Sequence, residues 1–146
     1  MKNVQAWCWG AGWDSTAGII EATRRGEQID LITFADVGAE KSVPDPRRGE
    51  QIGTYDFIPL FQQWCVDHGQ PKPVVCEYTP KQATTERYQS VTRDVVAALD
   101  LDIPEPTIER LSRLYGNMVA NDTLPGIAFS VKSCSIKWKI EAQEPT

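Results

Sequence analysis

The chain's 146 residues, 41% hydrophobic and 24% charged, suit one domain around one core, because a chain of this length buries roughly two thirds of its unfolded surface. Fifteen basic against twenty acidic residues leave a formal charge of −5, the wrong sign for a protein that coats nucleic acid through its overall field, so any such contact would have to be local. No apolar run approaches the roughly 20 residues that cross a bilayer, and Lys2 leads into polar Asn3 rather than into a signal region; the expectation is a soluble, cytoplasmic protein with no membrane partner.

Val4 to Trp9 reads as a short apolar strand, of the kind buried on both faces of a parallel sheet. A glycine loop follows. From Asp14 to Arg25, Ala17, Ile19, Ile20 and Ala22 suit a helix packed on that sheet, with Gly26 as its stop. Asp30 to Ala35 is a second strand ended by Asp36, and strand, helix, strand within one sheet is a right-handed parallel crossover. Proline and charge crowd the segment between Gly38 and Gly53, which predicts a long mobile loop.

Thr54 to His68 carries Phe57, Phe61, Trp64 and Cys65 along one helical face, with Pro59 kinking the helix or sitting in its first turn, and Gly69 ending it. Pro73 to Tyr78 predicts a third strand. Two further helices are expected, Thr84 to Leu99 with Val91, Val95 and Leu99 facing the core, and Thr107 to Asn121 with Ile108, Leu111, Leu114, Tyr115 and Met118 doing so and Thr107 as N-cap. Gly126 to Val131 reads as a fourth strand, left by KSCSIKWKI. No internal repeat or low-complexity stretch is present.

Cys8, Cys65, Cys76 and Cys134 have neither the CxxC pairing of zinc sites nor the spacing of a disulfide scaffold. The first three fall in apolar elements and read as buried packing thiols. Cys134 sits among Lys132, Ser133, Lys137 and Lys139, cations that favour its thiolate and could neutralise a polyphosphate; the competing readings are a packing residue and a solvated surface. Trp7, Trp9 and Trp64 are expected in the core. Trp13, exposed by its loop, could stack on a base or ribose, and Trp138 could do likewise or pack under the tail.

Cys8 to Gly18, CWGAGWDSTAG, places two glycines, an acid and two hydroxyls where a strand passes into a helix. Glycines let the backbone approach an oxygen, and the first helical amides point at it with the positive end of the dipole, so the expected ligand is an anion, most often phosphate. Ser15 and Thr16 could donate to it or bind the helix's own amides. A Walker loop is excluded, since no lysine follows a glycine here. A dinucleotide loop, GxGxxG, matches at Gly10 and Gly12 but has Ser15 at the third glycine, with Asp36 where a ribose-binding carboxylate would lie; that NAD(P) reading stays open.

Gly10-Ala11-Gly12-Trp13-Asp14-Ser15-Thr16 also resembles the SGGxDS[ST] pyrophosphate loop of the adenine nucleotide alpha hydrolase superfamily, which includes ATP pyrophosphatases and phosphoadenosine phosphosulfate (PAPS) reductases. Phe34 to Lys41, FADVGAEK, resembles the segment after the second strand in PAPS reductase-like proteins, Thr54-Tyr55 the pair that opens their next helix, and Thr123 to Lys139 the closing motif of short PAPS reductase-like proteins of phages and bacteria. The four islands run in order along nearly the whole chain. The resemblance departs from the pattern in three places: Gly10 replaces a serine, about ten residues are inserted between Lys41 and Gly53 with Arg47 and Arg48 among them, and Ser133-Cys134-Ser135 stands where true reductases have Glu-Cys-Gly-x-His. The chain's one histidine, His68, lies at a helix end.

By resemblance, the fold is α/β, a mostly parallel sheet in a three-layer α/β/α sandwich of Rossmann-like, HUP type. The implied activity is ATP binding with cleavage at the α-phosphate, releasing pyrophosphate and transferring AMP to an acceptor, or related sulfur chemistry. Asp14, Lys137 and Cys134 would be catalytic, Asp14 also organising Mg²⁺. Gly10 to Thr16 would hold phosphates, Phe34, Asp36 and Gly38 would face adenine and ribose, and Lys132, Ser133 and Lys139 would complete the anion site. No iron-sulfur cluster is expected, because Cys134 has no neighbouring cysteine. An acceptor or protein partner and a homo-oligomer are compatible with this reading, and a nucleotide-binding module without turnover is its main rival.

Overall fold

The computed structural model describes residues 4–44, 46–78, 80–122 and 141–143. Lys132, Ser133, Cys134, Lys137, Lys139, Trp138 and the expected fourth strand at Gly126 to Val131 lie outside them. The described chain is of the α/β class and divides into two compact units, one reaching Ala35 and resuming over Glu40–Cys76, the other formed by Asp36–Ala39 and the described residues from Glu77 onward.

In the first unit, strand β1 (Ala6–Cys8) pairs in parallel with β2 (Leu31–Asp36), with Ala6 opposite Leu31 and Cys8 opposite Thr33. A third strand, β3 (Val74–Glu77), completes the order β1-β2-β3. Helix α1 (Trp13–Arg24) joins the first two strands and α2 (Thr54–Asp67) precedes the third, as the apolar spacing predicts. Both helices end in the same way. After α1, Gly26 at φ +71° donates to Thr23 O while Glu27 N reaches Ala22 O, and Gly69 and Gln70 repeat the pattern on Val66 O and Cys65 O, so glycine takes the left-handed position that closes the last turn.

The core of this unit is aromatic. Trp9 is 2% exposed and has Phe34, Phe57 and Phe61 within 6.0 Å between ring centres, and Ile19, Ile29, Ile32 and Cys65 fill the rest. Each such side chain removed from water contributes roughly 1.5–3 kcal/mol before chain entropy is set against it. Trp7 and Trp64 pack partly buried against this cluster. Pro59 falls in the second turn of α2, not the first, where it has no N–H to offer the carbonyl of Tyr55.

The first strand differs from expectation. It is shorter, and only Trp7 of its three residues is half-buried, packed against Gly18 of α1; Ala6 and Cys8 point the other way and are exposed. Alternation puts successive side chains on opposite faces, and α1 covers only one of them. Segment 38–53 is mostly irregular with one 3-10 turn (Pro46–Arg48), and its base is closed: Thr54 N donates to Lys41 O, and a Cβ at Gly53 would fall 2.1 Å from Ser42 O.

The second unit is helical. Helix α3 (Gln82–Ala98) buries Tyr88 and Thr92, whereas Val95 and Leu99 are 37% and 62% exposed, which corrects the expected Val91-Val95-Leu99 face. The buried stripe is turned by one residue, about 100° of helix, because Gly116 approaches closely there: a Cβ on it would meet Tyr88 O at 2.7 Å. The expected single helix Thr107 to Asn121 is broken into α4 (Glu105–Leu111), a π turn (Ser112–Gly116) and α5 (Asn117–Ala120). Thr107 is not the N-cap. Pro104 fills that position and Pro106 sits in the first turn, where a missing N–H costs nothing.

Candidate functional site

The loop from Trp9 to Thr16 is tied down by its own side chains. Trp9 N donates to Thr33 O at 2.8 Å, which holds the strand end, and the buried Trp9 indole donates from Nε1 to Thr16 Oγ1 at 2.9 Å. Ser15 Oγ accepts from Gly10 N at 3.2 Å and donates to Gly12 O at 3.3 Å. Both hydroxyls named by the sequence therefore brace the loop, and neither binds the first amides of α1.

Those amides are left open. Gly12 is the N-cap, in extended conformation and without a side-chain cap bond. Thr16 N is the first amide to find an intrahelical carbonyl, Gly12 O at 3.1 Å. Among the described residues the N–H groups of Trp13, Asp14 and Ser15 have no acceptor, as the geometry of a helix start requires. Between the two glycines, Ala11 holds φ +53°, a left-handed conformation that costs a non-glycine residue about 1–2 kcal/mol. Such strain concentrates where the backbone is shaped for a ligand.

Asp14 is exposed at the second position of α1, so it does not cap the helix from the N-cap, although its charge is favourable at the positive end. Among the described residues no three His, Cys, Asp or Glu side chains gather to hold a metal. Trp13 is 70% exposed, as the loop predicts.

The Phe34 to Gly38 segment serves other ends than those expected of its side chains. Phe34 is 1% exposed, with its ring 5.6 Å from Trp9, so it belongs to the core. Asp36, 6% exposed, accepts from Gly38 N at 2.7 Å and pairs with Arg113 Nη1 at 3.3 Å. Gly38, at φ +78°, lies so close to α4 that a Cβ would fall 2.1 Å from Arg110 O. An acid ending a strand looks the same in sequence whether it faces a ribose or an arginine 77 residues away; only the partner decides.

Arg113 was not anticipated. Its second nitrogen, Nη2, reaches Glu77 at 2.9 Å, so one guanidinium joins the end of β2 to the end of β3. It lies in a segment that reads as an ordinary amphipathic helix, and no local signal marks it. Of the cysteines, Cys65 is fully buried and its thiol is pushed up to about 11 by that burial, Cys76 is half-buried, and Cys8 is exposed rather than packed. His68 stacks on Trp64 with ring centres 4.2 Å apart and its Nδ1 2.7 Å from Trp64 O, a helix-end role.

No protein-family model, curated protein or solved structure gives a significant match to this chain.

Proposed function

We propose that the chain binds an adenine nucleotide, with its phosphates on the amides of Trp13, Asp14 and Ser15, and cleaves ATP at the α-phosphate, a nucleophilic acceptor forming the new bond to the AMP phosphorus as pyrophosphate leaves. The observation that carries this reading is the loop itself: hydroxyls spent on bracing, a bare N-cap, strained Ala11, and three outward amides at the end of a 12-residue helix. Amides held in place before the ligand arrives stabilise charge growing on a phosphate without reorganising. Asp14 would hold Mg²⁺, which when bound would supply positive charge against the phosphates. Lys132, Lys137 and Lys139 would add cations and Ser133 would join them, and in the sulfur-transfer variant of this reading Cys134 is the thiol that takes part. The three-layer, Rossmann-like sandwich belongs to the same proposal, supported by the parallel pairing of β1 with β2 and the order β1-β2-β3.

The test is a single substitution at the N-cap. A Cβ on Gly12 meets nothing within 4 Å, and aspartate is a favoured N-cap residue, so Gly12→Asp should fold at least as stably as the parent. Its carboxylate would take the open amides and repel phosphate. Expected are a thermal shift with ATP and Mg²⁺ in the parent, larger than with NAD, and loss of that shift in Gly12→Asp. An unchanged ATP shift in the variant would remove the loop from the site. Pyrophosphate release from ATP separates an enzyme from a binding module without turnover, and a larger shift with NAD would favour the dinucleotide reading.

A further inference from the structure

The second unit carries a cavity of about 270 Å³ between the end of β3, the first half of α3 and the run from α4 into the π turn. Thr85, Tyr88 and Gln89, on one face of α3 by their spacing, form one side of it, and Tyr78, Pro80 and Pro106 share the wall.

The charged and hydroxyl groups of this wall are already engaged. Arg113 is held by Asp36 at 3.3 Å and Glu77 at 2.9 Å, and Arg110 has a partner of its own. Glu109 is exposed to water, where an added ion pair contributes little. Ser112 Oγ donates to Glu109 O at 2.7 Å, Thr85 Oγ1 to Pro80 O at 3.4 Å, and the Tyr88 hydroxyl accepts from Asn117 Nδ2. A charged guest would have to break one of these pairs or lie buried without a counter-ion, and either is costly. What the wall still offers is two tyrosines, two prolines and the carboxamide of Gln89, which is half-buried and makes no hydrogen bond among the described residues.

We propose that this cavity binds an uncharged planar ring with an amide-like edge, the chemistry shared by nucleobases and aromatic carboxamides. Tyrosine presents a flat apolar face on which such a ring stacks whatever its exact identity. A carboxamide sets an acceptor beside a donor, the complement of a ring edge or amide that carries a donor beside an acceptor. The volume corresponds to about nine waters at roughly 30 Å³ each, room for one ring or two fused ones. The π turn that brings Ser112 and Arg113 to the wall is a helical irregularity frequent at functional sites. The inference does not rest on the nucleotide reading.

Calorimetry on the full chain with benzamide, benzoate and benzamidinium tests it, because the three share one size and shape and differ in charge. Expected is binding of benzamide at millimolar concentration or below, with benzoate and benzamidinium each about tenfold weaker or worse. Cyclohexanecarboxamide, uncharged but not flat, should be weaker by a similar factor. Gln89→Leu should weaken benzamide about three- to tenfold, the loss of one or two hydrogen bonds. Amide shifts of the labelled chain on titration should centre on Tyr88 and Gln89, and Gly12→Asp should leave benzamide binding unchanged, which separates this site from the glycine loop. Adenine binding more tightly than benzamide would support a nucleobase as the ligand, and the reverse order a single-ring carboxamide. No binding of benzamide, equal binding of a charged or non-planar analogue, full affinity in Gln89→Leu, or shifts centred on Gly12 would overturn the proposal.

Discussion

Trp9 donates its indole N–H to the hydroxyl of Thr16 at 2.9 Å, so the last buried ring of the first strand reaches into the first turn of the helix that follows it. Thr16→Val keeps the shape and removes the acceptor, leaving a part-buried indole N–H unsatisfied. The expected cost is about 1–3 kcal/mol in urea denaturation, with Thr16→Ser recovering most of it. If the loop's order matters for phosphate, the same valine variant weakens ATP binding beyond its effect on stability.

Gly38 is a second fixed point. Alanine there would need a left-handed conformation and would press its methyl into the carbonyl of Arg110, so Gly38→Ala should cost about 2–4 kcal/mol, read from the denaturation midpoint. Gly10 offers the control. Its nearest neighbour to an added Cβ is Ser15 Oγ at 3.8 Å, and Gly10→Ala should change stability by less than about 0.5 kcal/mol.

Asp36 sits 6% exposed between Gly38 N and Arg113. Asp36→Asn removes the charge but keeps the size, and weakens a charge-assisted bond to a guanidinium that still has Glu77. Its expected cost is about 1–3 kcal/mol. Arg113→Lys, which keeps the charge and loses the forked donors, should lose a similar amount, and the double variant should cost less than the sum of the two.

Cys65 makes stability depend on alkaline pH. Burial raises its thiol from 9.0 to about 11, so between those values the unfolded chain releases a proton that the folded chain keeps. This contribution is fully present below pH 9 and is lost as pH rises toward 11. Denaturation of the parent and of Cys65→Ala across that window should show the steeper decline in the parent. Alkylation follows the same division: iodoacetamide should modify the exposed Cys8 in the native protein and Cys65 only on unfolding.

Local chemistry made much of the first unit legible. Apolar runs marked the three strands to within two residues at each end, 3.6-residue spacing marked α1 and α2, and Gly26 and Gly69 marked their ends, because each of these is decided within a few residues by backbone sterics and a single buried face. The glycine loop was legible for the same reason. So was exposed Trp13.

What only the tertiary structure decided are choices between chemically equal alternatives. Nothing near Asp36 in the sequence says that its partner is Arg113, that Gly38 must clear the Arg110 carbonyl, or that Ser15 and Thr16 spend their hydroxyls on the loop. The buried stripe of α3 and the π turn after α4 depend on how closely Gly116 meets Tyr88, a contact between residues 28 positions apart. Periodicity reports that a helix has an apolar side; which residues are covered is set by the surface that packs against it, and that surface comes from elsewhere in the chain.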